Sequence, residues 1–236
     1  MFLKLLIRKE GVIYHGGLLR FFHGFRVKET LQAKYHFPVA ALNDGKAAAL
    51  AELATGHLKG VTNGAALVLG SGLGGGIIIN GKLFQGSHFQ AGELTFLLPL
   101  QMEKLDPSLM QGTTLSAIGL ITKVNEILAR LDLKDGLLAF KAINAKKEAV
   151  YPIFETYCRN LAITILNLQT IFDMETFVLG GGISAQSILI EEVNRQFDKV
   201  HHEIDFIGKI IKRPKIVACH HNGTNLIGAA YFLKQG

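Results

Sequence analysis

Two carboxylates and two glycine-dense segments carry the chemistry open to this chain. They are Asp44 in Asn43-Asp44-Gly45, Glu93 in Ala91-Gly92-Glu93, the run Gly70-Ser71-Gly72-Leu73-Gly74-Gly75-Gly76, and Gly180-Gly181-Gly182. A glycine-dense turn reaches positive φ without steric cost and lets amide N–H groups converge on an anion, which suits a phosphate. The residues after the first run decide its kind. A dinucleotide-binding turn opens a helix, whereas Ile77-Ile78-Ile79 is β-branched and leads into Asn80-Gly81, a hairpin signal. The segment therefore reads as strand, phosphate turn, strand, hairpin turn, strand, with a purely structural turn as the plainer alternative. The second run has a strand before it and a helix after it, so a phosphate or a planar group could approach its backbone; a simple strand-to-helix connection competes with that reading.

Asp44 lies between a short apolar stretch and an alanine-rich helical stretch, so its carboxylate falls at a helix N-terminus, which favours negative charge. A carboxylate there can take the proton of a hydroxyl that attacks phosphorus, and the Asn43 amide can fix a neighbouring hydroxyl. The plainer reading makes Asp44 a helix cap. Glu93 comes a few residues after the hairpin and could accept sugar hydroxyls, or be merely solvated.

The elements that must hold these groups alternate between strand and helix. A strand or hairpin is predicted around Gly11 to Leu19, a helix near Arg26–His36, a strand at Val39–Leu42 and a helix from Lys46 to Ala54 ended by Gly56. The triple-strand segment covers about 65–85, and a helix near Thr114–Leu131 takes Thr113 or Thr114 as its cap. Phe154, Tyr157, Leu161, Ile165 and Leu168 recur at helical spacing within a helix from about Lys147 to Phe172. A strand at Thr176–Leu179, a helix at Ala185–Val200, a strand at Ile216–Cys219 and a helix at Asn225–Leu233 complete the pattern. It is that of an α/β fold with a mixed sheet flanked by helices.

With 236 residues, 49% of them apolar, the chain can bury a real core. A net charge of +6 permits an anionic ligand, yet the Lys and Arg residues form no stripe of the kind nucleic acid selects. Cys158 and Cys219 are far apart and outside any C-x-x-C pair, which argues against a disulfide framework or thiolate zinc site and fits a reducing, cytoplasmic setting. The opening MFLKLLIRKE is interrupted by Lys4 and Arg8 and reads neither as a signal peptide nor as a membrane span. His201-His202 and Cys219-His220-His221 lack metal-ligand spacing, and His88, near the Ala91-Gly92-Glu93 turn, either lines a ligand cleft or is exposed.

Taken in order, LNDGKAAALAE, LVLGSGLGGGIIINGKLFQG, AGEL, FVLGGGIS and NGTNLIGAA resemble the ROK family of bacterial sugar kinases and sugar-responsive repressors, from about Gly11 to the C-terminus. The resemblance implies an actin-like, hexokinase-like ATPase fold with RNase H-like lobes, the first incomplete: residues 1–60 completed by a closing helix at 223–236, and a second lobe at 61–222. It implies ATP and Mg²⁺ as cofactors and a sugar as substrate, with no nucleic acid and no membrane, and is compatible with a homodimer. Position by position, Asp44 matches the catalytic base, Asn43 and Glu93 the sugar ligands, Gly70, Ser71, Gly72, Gly74 and Gly75 the phosphate hairpin, and Gly180, Gly181 and Gly182 the adenosine-side turn. Ser71 stands where Thr is usual.

Three departures from the family pattern shape the expectations. No Asp-x-Gly-Gly-Thr strand occurs, so about sixty to seventy residues of a usual kinase have no counterpart. Residues 1–10 match no family element, and the chain alone is expected to phosphorylate poorly, to expose an unpaired edge and to self-associate. Phe96 stands where the family has a zinc-ligating His, and no cysteine lies between it and Cys158, so no zinc is expected. A second sugar-binding Glu has no identifiable counterpart. A sugar-binding regulator or an inert remnant is the alternative to a kinase, and the identity of the sugar stays open.

Overall fold

The computed structural model describes residues 6–7, 11–14, 20–98, 104, 106–220 and 225–235. Its strands are β1 (Leu6–Ile7), β2 (Ile13–Tyr14), β3 (Gly64–Leu69), β4 (Leu73–Ile79), β5 (Lys82–Phe84), β6 (Thr176–Gly180) and β7 (Lys215–Ala218). Its helices are α1 (Val27–Tyr35), α2 (Asp44–Thr55), α3 (Gln111–Thr114), α4 (Ala117–Ile127), α5 (Gly136–Asn144), α6 (Tyr151–Phe172), α7 (Ser187–Glu203), α8 (Asp205–Ile210) and α9 (Asn225–Gln235).

The central sheet has the order β5-β4-β3-β6-β7. β3, β4 and β5 pair antiparallel as consecutive hairpins, whereas β3 with β6 and β6 with β7 pair in parallel. The mixed sheet is the one the sequence implied. Asn80 and Gly81 both take positive φ, 53° and 70°, as the tight turn between β4 and β5 requires.

Period-two alternation sends one set of side chains to each face of this sheet. Ala65, Leu67, Leu69, Ile77, Phe177, Leu179 and Ile216 meet the larger cluster, built with Leu120, Phe140, Phe154, Leu161, Ile165, Val193 and Phe197 from α4 to α7. Ala66, Ile78 and Val178 point the other way, onto Ala49, Leu50 and Leu53 of α2, with Tyr231 and Phe232 of α9 closing that layer. Both faces are covered, so β3 and β6 read as nearly unbroken apolar runs.

α6 and α7 are tied by a polar clamp as well as by apolar packing. Glu192 of α7, only 3% exposed, accepts from Tyr151 Oη at 3.1 Å and from Arg195 Nε at 2.8 Å. Arg195 also pairs with Glu155 of α6. Burial raises the Glu192 carboxyl, but the hydrogen bonds from Arg195, Gln196 and Tyr151 outweigh it and hold the group below its ordinary value.

Several boundaries differ from those expected of the sequence, for identifiable reasons. Val39–Leu42 belongs to no strand, because it pairs with no neighbour among the described residues. The helix expected from Thr114 begins at Ala117 instead, since Ser116 is the cap and its Oγ accepts from Gly119 N–H at 3.0 Å. α7 starts at Ser187 because a short 3₁₀ turn, Gly182–Ala185, comes first. β2 pairs back with β1, while residues 15–19 of the expected N-terminal hairpin, and 223–224 of the expected closing segment, lie outside the described residues. No helix among the described residues is long and apolar enough to cross a membrane.

Candidate active site

The first turn of α2 is built by its own sequence. Asn43, extended at φ −63° and ψ 146°, is the N-cap: its Oδ1 accepts from the N–H groups of Gly45 at 3.0 Å and Lys46 at 3.4 Å. The cap is thus Asn43 and not Asp44, which corrects the plainer reading of that carboxylate. Asp44 is the first helical residue and is exposed; its Oδ1 accepts from Gly45 N–H at 2.8 Å. Asp44 makes no ion pair with any described residue.

Glycine lets this helix end lie directly on the sheet. A Cβ placed on Gly45 would fall 2.6 Å from Gly75 N and 2.9 Å from Gly75 O, and one on Gly76 would fall 2.6 Å from Gly45 O. The loop that carries Glu93 arrives at the same residue from the other direction. Gly92, at φ 84°, has room for no Cβ because Gly75 O would lie 2.5 Å from it, and a Cβ on Gly75 would meet Leu94 at 2.7 Å. Thr95 Oγ1 then donates to Leu73 O at 2.9 Å and pins the turn after Glu93 to the start of β4. Asp44, exposed, and Glu93, half-buried, are therefore held by neighbouring glycines against one residue of β4.

Gly74, Gly75 and Gly76 are not in the turn; they lie within β4, paired with Val68, Leu67 and Ala66. The turn itself is Gly70-Ser71-Gly72, closed by Gly70 N–H donating to Gly72 O at 3.0 Å. Gly70 O accepts from Ala117 N–H at 2.8 Å and so anchors the start of α4.

The second glycine run ends β6, beside β3, with Gly180 paired to Val68. Gly181, at φ 100°, is pressed against β3: a Cβ there would lie 2.1 Å from Leu69 O. Ser184 Oγ donates back to Gly181 O at 2.8 Å and fixes the 3₁₀ turn. Both glycine turns consequently meet at the carboxyl ends of two adjacent parallel strands, where α/β sheets bind ligands. Gly70 and Gly182 differ from Gly45, Gly75, Gly76, Gly92 and Gly181, since a Cβ on either would meet nothing within 4 Å.

Lys46 is a residue that sequence reasoning missed. It is 2% exposed, and its Nζ donates to Phe89 O, joining α2 to the loop that delivers Glu93. Its spacing from Leu50 and Leu53, four and seven residues on, puts it on the buried face, and that spacing was the available signal. The other residues singled out from the sequence lie apart or are otherwise engaged. His88 is exposed, His201 Nε2 contacts Ile211 O and His202 Nδ1 contacts Asp198 O, each at 2.7 Å. Phe96, in the zinc-ligand position, is exposed on the turn after Glu93. Cys158 is buried in α6, where desolvation pushes its thiol well above the usual range, and Cys219 comes directly after β7, near Gly180.

A family model described as the ROK family matches residues 5–236. The chain belongs to the ROK family. A β-glucoside kinase of Listeria monocytogenes is 30% identical over 233 residues, a match that covers 96% of this chain and 75% of the relative. A ROK family protein from Streptococcus pneumoniae, solved in complex with sucrose, is 29% identical with a TM-score of 0.82, covering 98% of this chain and 77% of that one. The fold is shared more distantly with a ROK family glucokinase from Streptomyces griseus, solved with glucose and AMPPNP. That likeness has a TM-score of 0.81 at 22% identity, covering 98% of this chain and 79% of the other. The α/β fold of ROK-family ATPases expected from the motifs is the fold observed.

Proposed function

We propose that this chain transfers a phosphoryl group from ATP to a hydroxyl of a sugar. The observation that carries this reading is the convergence of Gly45, Gly75 and Gly92, which brings an exposed carboxylate at a helix N-terminus and a second carboxylate to the strand that leads out of an open glycine turn. The kinase relative from Listeria supports the reaction class, and the neighbours solved with sucrose, glucose and AMPPNP support the ligand classes.

The residues present fit a nucleotide's anionic tail, because the backbone at Gly70 and Gly182 is open to close approach. ATP supplies the phosphoryl group, and its accompanying Mg²⁺ neutralises phosphate charge. The chain's own contribution is to hold and deprotonate the acceptor. With Asp44 Oδ1 engaged by Gly45 N–H, Oδ2 is the atom that receives the hydroxyl proton. Asn43 spends its oxygen on the helix cap, so only its NH₂ group is left to donate to a sugar hydroxyl. Glu93 accepts from further hydroxyls, and Gly70-Ser71-Gly72 with Gly180-Gly181-Gly182 cradle phosphate and nucleoside. In this reading residues 1–60 with 223–236 form one lobe and 61–222 the other.

Sugar-dependent ADP release, measured with glucose, N-acetylmannosamine and a β-glucoside, tests the reading. Asp44→Asn is expected to lower kcat about 10²- to 10⁴-fold while AMPPNP affinity stays within about twofold. Turnover within a factor of about three of the parent chain would remove Asp44 from the mechanism.

A further inference from the structure

Lys46 occupies a place that suits an apolar residue better than a lysine. It stands in the first turn of α2, where the helix dipole favours negative charge over a cation, and it is 2% exposed. Lysines are almost never buried this far unless the ammonium is engaged. The residues that share its buried face, Ala49, Leu50 and Leu53, are all apolar. Packing alone does not account for a charge here, whereas its contact does: Nζ donates to Phe89 O, 43 residues away in sequence.

That carbonyl lies in the loop that delivers Glu93. Gly86, Phe89 and Gly92 all take positive φ, 71°, 59° and 84°, and at Phe89 this is a conformation uncommon for a residue with a side chain. The backbone bonds within the loop are local: Ala91 N–H donates to Gln85 O at 3.1 Å and Glu93 N–H to Gln90 O at 3.2 Å. They shape the loop without fixing it to the sheet or to α2. The Lys46 bond adds such a fixture before Glu93, as the Thr95 bond to Leu73 O does after it. Because the same turn of α2 carries Asn43 and Asp44, the ammonium joins the helix end of one carboxylate to the loop of the other.

We propose that Lys46 is a positioning residue that sets sugar affinity: its ammonium holds the Glu93 loop in register with the first turn of α2, and it touches no substrate itself. Binding groups borne on a loop need this kind of support to keep their geometry. The proposal rests on the kinase reading for the role of Glu93.

The test uses the full chain, with sugar and AMPPNP binding followed by calorimetry and amide protection by hydrogen exchange. The sugars are glucose, N-acetylmannosamine and a β-glucoside. Lys46→Met is expected to weaken sugar binding about tenfold, with AMPPNP affinity within about twofold of the parent. Exchange should quicken at Ala91 and Glu93 and stay unchanged at Ala47, whose N–H donates to Asn43 O within the first turn of α2. Lys46→Arg, which keeps a cationic donor, should recover sugar affinity to within about threefold of the parent. In the parent chain itself, sugar should slow exchange at Ala91 and Glu93, a readout that stands even where Lys46→Met does not fold. Unchanged sugar affinity in Lys46→Met, equal weakening of sugar and AMPPNP, or no slowing at Ala91 and Glu93 by bound sugar would overturn the inference, as would a parent chain that binds none of the three sugars. Sugar binding without ADP release would overturn phosphoryl transfer alone, because calorimetry requires no turnover.

Discussion

The two glycine-rich segments look alike in sequence but use their glycines in opposite ways. In Gly70–Gly76 the packed glycines, Gly75 and Gly76, lie in a strand, where Gly45, Gly92 and Leu94 fill the space a side chain would take, and the open glycine, Gly70, lies in the turn. In Gly180–Gly182 the packed and open glycines are neighbours: Gly181 is pressed on Leu69 O, while Gly182 faces empty space. A missing side chain can therefore serve either a crossing backbone or an approaching ligand, and density of glycine alone does not say which. The packed glycines of β4 position Asp44 and Glu93; the open ones leave the backbone clear for close approach of a ligand.

That division can be broken by substitution. The largest effect is expected at Gly181→Val, where positive φ and the contact with Leu69 O combine to cost about 4 kcal/mol in urea unfolding. A loss under about 1 kcal/mol would mean that the turn relaxes freely and that the packed class is ill-defined. Gly75→Ala comes next, at about 2–3 kcal/mol, because its Cβ would meet both Leu94 and Gly92 O. The same variant should loosen the Glu93 loop and raise the sugar KM more than the ATP KM. If both KM values move together, the Gly75 seam does not set the sugar side.

Glu192→Ala serves as a control far from the glycines. It should cost about 2 kcal/mol by removing charged hydrogen bonds between α6 and α7, with both KM values unchanged. Because the folded-state pKa of Glu192 is depressed, its stabilisation is fully present above the ordinary glutamate value of about 4.3 and is lost as pH falls through the lower folded value. The parent chain should lose stability more steeply than Glu192→Ala over that acid window, and parallel melting curves would rule the clamp out. The smallest effect on stability belongs to Gly182→Ala, within about 0.5 kcal/mol, together with a roughly tenfold weaker AMPPNP affinity.

Local patterns made much of the fold legible. Ile77-Ile78-Ile79 followed by Asn80-Gly81 announced the hairpin, and helical spacing from Phe154 to Leu168 announced α6, because both signals lie within a few residues. Val39–Leu42 was misread because a strand needs a partner that its own residues do not reveal. α5 and α8, at nine and six residues, are too short for periodicity to stand out. At the site, Asp44, Asn43 and Glu93 were visible as types in suggestive settings. The role of Gly75 was not, since its partners Gly45 and Gly92 are distant in sequence, and Lys46 was read only as the start of an alanine-rich helix.

Hydrogen exchange with and without AMPPNP, resolved to single amides, tests the central claim most directly. Slowed exchange is predicted at Gly70–Gly72 and at Gly181–Gly182, with Gly75 and Gly76 unchanged because strand pairing and packing already protect them. Protection confined to other parts of the chain, with both turns exchanging as before, would contradict it.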